Sequence, residues 1–290
     1  MESGNDEWNV KPLQKAILDV FREFEKLCER HGLRYFAIGG TALGAVRHHG
    51  FIPWDDDMDV AMPRKDYNKF VDIANKELPA HLRFCRGGET PLSPIYFGRI
   101  VDMHEGMVER LRSETCLNLT VPPFLDIFVL EGLPEFVTDM KKWWRGHRLL
   151  RICQTYRYPK STLSGFARKS IRGIFSFMFC KMFGFVLSWF YPATKSSEEM
   201  MKLFDAYFMR WPYDSAQMIV EPAFFRFKTS RMFPRIVFEP AKCMPFEGGE
   251  IRVPSKVEEY LAQYFGDYMK LPPPEHRIPE HAFKRAYNHA

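Results

Sequence analysis

Residues 36–62 read F-A-I-G-G-T-A-L-G-A-V-R-H-H-G-F-I-P-W-D-D-D-M-D-V-A-M, and this order decides how the rest of the chain is read. The apolar run Tyr35 to Ile38 has strand character and stops at Gly39-Gly40, where the backbone can turn sharply and approach a ligand with no Cβ in the way. Thr41 is placed to cap a following helix, leaving N–H groups pointed at an anion. After Pro53-Trp54 come four carboxylates in five residues: Asp55, Asp56, Asp57 and Asp59. Asp57 to Met62 alternates with period two, so Asp57 and Asp59 share one strand face while Met58 and Val60 face the core.

Upstream, apolar residues from Leu13 to Cys28 fall at helical spacing, and Gly32 is suited to end that helix in the left-handed conformation. Downstream, Arg64 to Leu78 returns to helical spacing. Leu82 to Cys85, Ile95 to Val101 and Phe124 to Leu130 are strand candidates. Asp126 stands as a lone carboxylate inside the last of these. An unpaired buried charge costs several kcal/mol, so Asp126 calls for a cation.

From Glu135 to about Arg210 the composition turns helical, basic and aromatic. Within it, Ile171 to Tyr191 is long enough to span a bilayer, but Arg172 and Lys181 inside it favour an interfacial helix or hydrophobic hairpin, with a plain core helix as the rival. Beyond Met218 the chain offers short strands at Ile219-Val220, Ile236 to Phe238 and Glu250 to Val253. Ser255 to Glu258 has the form of a capping box, opening a helix that ends before Gly266. Leu271 to Pro274 is extended. The expected organisation is a catalytic core at 1–134, a helical insertion at 135–215 and a C-terminal part at 216–290 that packs back on the core.

The 290 residues carry 46% hydrophobic and 16% aromatic residues, enough for a sizeable core, and a mild net charge of +5. That charge suits anionic ligands and does not indicate a nucleic-acid coat. The six cysteines are scattered with no C-x-x-C clip, and the start, Met1 to Glu7, is acidic rather than a secretory signal. A cytoplasmic protein is expected.

A calcium loop fails on the aspartate run, because Val60 stands where the loop needs glycine and Asp66 where it needs glutamate. A solvated acidic turn is opposed by the apolar flanks and the preceding Gly-Gly. The remaining reading is a Mg²⁺ site, with Mn²⁺ as substitute, held by Asp57, Asp59 and Asp126 and binding substrate phosphates, with Asp126 as candidate base. Gly39, Gly40 and Thr41 would donate to the same phosphates. Arg47 and Arg99 are candidate phosphate contacts, each rivalled by an ordinary ion pair. His48 and His49 read as helix-end residues. Trp54 and Tyr96 are candidates to stack on a base or face a quaternary ammonium, with core packing as the alternative.

G-G-T-A-L-G-A-V-R, F-I-P-W-D-D-D-M-D-V, F-L-D-I-F-V-L-E-G and Tyr264-Phe265-Gly266-Asp267-Tyr268-Met269 followed by Pro272-Pro273 closely resemble the LicD/fukutin family. The resemblance runs from about Leu13 to Pro274, with the helical middle poorly matched. It implies an α/β (α+β) nucleotidyltransferase fold, a polymerase-β-like mixed sheet flanked by helices. It also implies transfer of a phosphorylated alcohol from a CDP-activated donor, such as CDP-choline, to a hydroxyl of a surface glycan or its lipid-linked precursor. The family's metal carboxylates carry over to Asp57, Asp59 and Asp126, and its glycine pair to Gly39 and Gly40. A nucleotidyltransferase placing NMP on a small acceptor or protein, and a non-catalytic glycan- or membrane-binding module, are the alternatives.

Overall fold

The computed structural model describes residues 9–87, 97–115, 117, 119, 121–135, 140–146, single residues between 178 and 189, 197–221 and 231–279. Helix α1 (Lys11–His31) buries Leu13, Ala16, Ile17, Val20, Phe21, Phe24, Leu27 and Cys28, one stripe at three- and four-residue spacing. Gly32 ends it at φ 60°, the left-handed cap that a side chain would strain. The stripe meets Tyr35 and Phe70 edge-on, with Phe24 at 5.2 Å from each ring.

Strand β1 (Phe36–Ala37) is shorter than the apolar run, because helix α2 (Gly39–His48) begins at the glycine pair. Strand β2 (Asp59–Pro63) leads directly into α3 (Arg64–Glu77). Then come β3 (Leu82–Cys85), β4 (Gly98–Asp102), α4 (Met107–Thr115) and β5 (Phe124–Gly132). The sheet runs β1-β2-β5-β4-β3, mixed: β2 and β5 are parallel and the other neighbours antiparallel. All nine residues of β5 are buried, as expected of a central strand whose sequence is nearly continuously apolar. The far end of β5 pairs with β6 (Met218–Val220), and β6 with β7 (Met232–Pro234). The fold is a mixed α/β sheet flanked by helices.

Helix α5 (Ser197–Phe208) is tied to this framework by charge. Arg64, on α3, donates to Glu131 Oε1 through Nε at 2.9 Å and also through Nη2, and its Nη1 reaches Asp205 of α5 at 2.9 Å. Arg86 donates to the other Asp205 oxygen. The hairpin β8 (Lys242–Phe246) and β9 (Gly249–Val253) and helix α6 (Val257–Phe265) complete the C-terminal part.

Four local expectations change. Asp57 is not on β2, which begins at Asp59, so it belongs to the aspartate turn and does not share a strand face with Asp59. Ile236 to Phe238 is not a strand: after β7, Arg235–Val237 forms a 3₁₀ turn that follows Pro234. The capping box is not formed, since Lys256 occupies the cap of α6 and makes no side-chain cap hydrogen bond; the backbone N–H of Ser255 donates to Phe238 O at 3.1 Å. Thr41 does not cap α2, because Ile38 takes that position. Most of the Ile171 to Tyr191 segment lies outside the described residues. Met178, Phe179, Met182, Phe185, Val186 and Trp189, which are described, are helical and exposed. Among the described residues no helix is long and apolar enough to cross a membrane.

Candidate active site

The sheet register assembles the site at one end of β1, β2, β5 and β4. Asp59 is the first residue of β2 and pairs in register with Asp126 on β5; Asp126 pairs with Arg99 on β4. Residues paired across neighbouring strands project to the same face, so two carboxylates and a guanidinium form one row. Arg99 donates to both Asp126 oxygens, Nε to Oδ1 at 2.5 Å and Nη2 to Oδ2 at 2.8 Å. Asp126 is only 6% exposed, and the cation its burial calls for is, within the protein, Arg99. Burial alone would lower the Arg99 pKa. Asp126 first, then Asp59 and Asp57, more than offset this and hold it above the ordinary value.

The aspartate turn sits against this row. Ligand oxygens of Asp55, Asp56 and Asp57 lie within 4.8 Å of one another. Gln14 Nε2 donates to the carbonyls of Ile52 and Asp55, at 3.0 and 2.9 Å, which fixes the turn to α1. Asp126, Asp59 and Asp57 all act on the Arg99 guanidinium, and all-oxygen donors are the set a hard cation takes. In donor type the residues fit Mg²⁺, but among the described residues the acidic group whose oxygens converge is Asp55, Asp56 and Asp57, and Asp59 and Asp126, the other two expected ligands, are not part of it.

The glycine pair has a different role from a simple phosphate cradle. Gly39 takes φ 55°, and its N–H donates to the Tyr260 hydroxyl of α6 at 2.8 Å, so it is not directed at a ligand. A Cβ on Gly39 would meet Asp59 Oδ2 at 3.4 Å, and one on Gly40 would meet Asp55 Oδ2 at 2.8 Å. The glycines thus make room for carboxylates. The Thr41 hydroxyl accepts the Asp59 N–H at 2.8 Å, locking the start of β2 to α2.

Arg47 donates through Nη1 to Tyr268 O and through Nε to His48 Nε2, both at 2.9 Å. His48 packs edge-on against Trp54 with ring centres 6.4 Å apart, and Arg277 lies over the same indole at 5.8 Å. Burial, with the charge of Arg277 close by, lowers the Arg47 pKa against the pull of Asp55. Two guanidiniums therefore share the mouth of the aspartate turn. Tyr96 lies outside the described residues.

The sequence reading missed Arg277, Tyr260 and Tyr264. The two tyrosines lie one helical turn apart on α6. Burial, together with Glu221 and Asp59 and against Arg231, pushes the Tyr264 phenol well above its ordinary range. Arg277 had no local signal: it follows a proline run that says nothing about where the chain returns.

Residues 32–88 match the family described as LicD/FKTN/FKRP, nucleotidyltransferase domain. The chain is similar to the lipopolysaccharide cholinephosphotransferase LicD of Haemophilus influenzae, with 29% identity over 94% of this chain and 96% of that protein. It is similar over a shorter stretch to the human ribitol 5-phosphate transferase FKRP, with 34% identity over 25% of this chain and 14% of that protein.

Proposed function

We propose, from the premise that this chain belongs to the LicD/fukutin family, that it is a phosphotransferase moving a phospho-alcohol from a CDP-activated donor to a hydroxyl of a glycan or its lipid-linked precursor. Phosphocholine is the cargo we assign, because the relative covering nearly the whole chain carries the name cholinephosphotransferase. The observation that supports the reading is the row Asp59, Asp126 and Arg99, in register on three adjacent strands beside Asp57.

In the proposed reaction the acceptor oxygen forms a bond to the distal phosphorus of CDP-choline while the bond from that phosphorus to the bridging oxygen breaks, and CMP leaves. Asp126, oriented by its two hydrogen bonds to Arg99, receives the acceptor proton; its oxygens retain acceptor capacity beyond those bonds. Arg47 and Arg277 hold the anionic diphosphate, which guanidinium groups match in a two-pronged geometry. Trp54 offers its face to the base or the quaternary ammonium. Mg²⁺, or Mn²⁺, held by Asp57, Asp59 and Asp126 would supply neutralisation of the phosphate charge. Positioning and charge stabilisation are the main demands of phosphoryl transfer.

Exposed Met178, Phe179, Met182 and Trp189 suit peripheral contact with the inner face of a membrane carrying the acceptor. Co-sedimentation with anionic vesicles checks this, and protein left wholly in the supernatant removes it.

Incubation with CDP-choline, CDP-ethanolamine, CDP-ribitol or CDP-glycerol, each with Mg²⁺ and a glycan acceptor, tests the main reading. CMP release with at least one donor, abolished by EDTA, is expected; absence of CMP with all four overturns it. The description of the matched domain favours a second reading, transfer of NMP from a nucleoside triphosphate, for which pyrophosphate release is the signature. A non-catalytic module would release neither.

A further inference from the structure

A cluster of different chemistry lies away from the aspartates. His81 precedes β3, Asp102 ends β4, and His104 follows two residues later. Leu82 and Asp102 pair in register, and the Met103 N–H donates to His81 O at 2.7 Å, so the two loop ends are held together by backbone. The imidazoles stack with ring centres 4.2 Å apart and planes 28° from parallel. Asp102 is buried, and its Oδ1 accepts the His104 backbone N–H at 2.9 Å and lies 2.9 Å from His104 Nδ1. One ligand atom from each of the three residues falls within 4.8 Å of the others.

We propose that His81, Asp102 and His104 form a second metal site, for a borderline divalent cation of the Zn²⁺ class, stapling the start of β3 to the loop between β4 and α4. Two imidazole nitrogens and one carboxylate oxygen are a donor set for zinc and its neighbours, whereas Mg²⁺ takes oxygen donors. The donor types therefore separate this site from the aspartate cluster, which is all oxygen. Zinc holds nitrogen at about 2.0–2.1 Å, so its ligand atoms stand about 3.3 Å apart; the hydrogen-bond contact of His104 Nδ1 with Asp102 Oδ1 at 2.9 Å opens slightly to admit the ion. Side-chain rotation supplies that movement, because the backbone pairing already fixes the three attachment points. The His104 side chain is 55% exposed, which gives the ion an entry path and leaves a position open to water. A bound ion that the unfolded chain cannot hold as well adds stability in proportion to the logarithm of its concentration over the dissociation constant. The site needs no assumption about the reaction.

The test is calorimetric titration of the chelator-treated full chain with ZnCl₂ while excess Mg²⁺ is present. A single tight Zn²⁺ event is expected. The pair His81→Gln and His104→Gln should weaken it about ten-fold or more, and Asp57→Asn with Asp59→Asn should leave it intact. Co²⁺ in place of Zn²⁺ should give the visible absorption of a low-coordinate nitrogen–oxygen site in the wild type and lose it in the histidine pair. Unchanged Zn²⁺ affinity in the histidine pair, or loss of the event in the aspartate pair, overturns the site. His104→Gln alone alters an exposed side chain and provides the same comparison if the double variant does not fold.

Discussion

Strand β5 carries two buried acids, Asp126 near its start and Glu131 near its end, and each meets an arginine. The two ends nevertheless differ. At the far end Glu131 and Asp205 meet Arg64 and Arg86, and these contacts join α3, β5 and α5. At the near end Asp126 meets Arg99, and Asp59 and Asp57 also act on that guanidinium, so the pair lies beside the aspartate turn. The same pair type thus joins three elements at one end of the strand and, at the other, stands beside a turn crowded with carboxylates. A buried pair alone is weak evidence of function; the acidic turn beside it is the informative part.

The contrast breaks most sharply in a pair of substitutions. Asp59→Asn is expected to cut donor turnover about a thousand-fold, while the melting temperature stays level or rises, because one charge leaves a crowded cluster. A fall in melting temperature as large as that at the far end would show that both ends are structural. There, Glu131→Ala should cost about 1–3 kcal/mol in a denaturant titration by removing two hydrogen bonds of the buried Arg64, which keeps Asp205, while the folded fraction keeps its turnover. Full stability in that variant would dissolve the distinction.

Two smaller effects sharpen the near end. Arg277→Gln should raise the donor KM about ten-fold with kcat nearly kept, as for lost contacts made equally in ground and transition states. A kcat loss with constant KM would place Arg277 at the reacting phosphorus instead. The smallest effect belongs to His48, whose pKa burial, then Arg47, holds below its ordinary 6.5. With the folded value lowered, the unfolded chain takes up the proton first. This contribution is complete above pH 6.5 and is lost as pH falls through that value toward the folded pKa. Urea midpoints on either side of that range should fall toward acid in the wild type and fall less in His48→Gln.

Much of this contrast is legible along the chain. The acid in each half of F-L-D-I-F-V-L-E-G is visible, and the lone Asp126 demanded a cation because apolar neighbours on both sides imply burial. The demand did not reveal the supplier: Arg99 is 27 residues away, and the antiparallel register of β4 on β5 brings it opposite. Arg99 on an apolar strand calls for an anion and Asp126 for a cation, and each satisfies the other. The glycine pair was visible as a turn, but its clearance for Asp55 and Asp59 was not, because a missing Cβ leaves no record of what occupies the space.

The sequence by itself determined the amphipathic stripe of α1, its stop at Gly32, the central apolar strand and the run of acids, because each depends on spacing along a few consecutive residues. Tertiary structure decided which acids stand together, that Tyr260 of α6 receives the Gly39 N–H, and that Arg277 returns to Trp54 beside Arg47. These depend on sheet register and on where distant segments pack, and the distances between them in sequence carry no periodicity from which to read them.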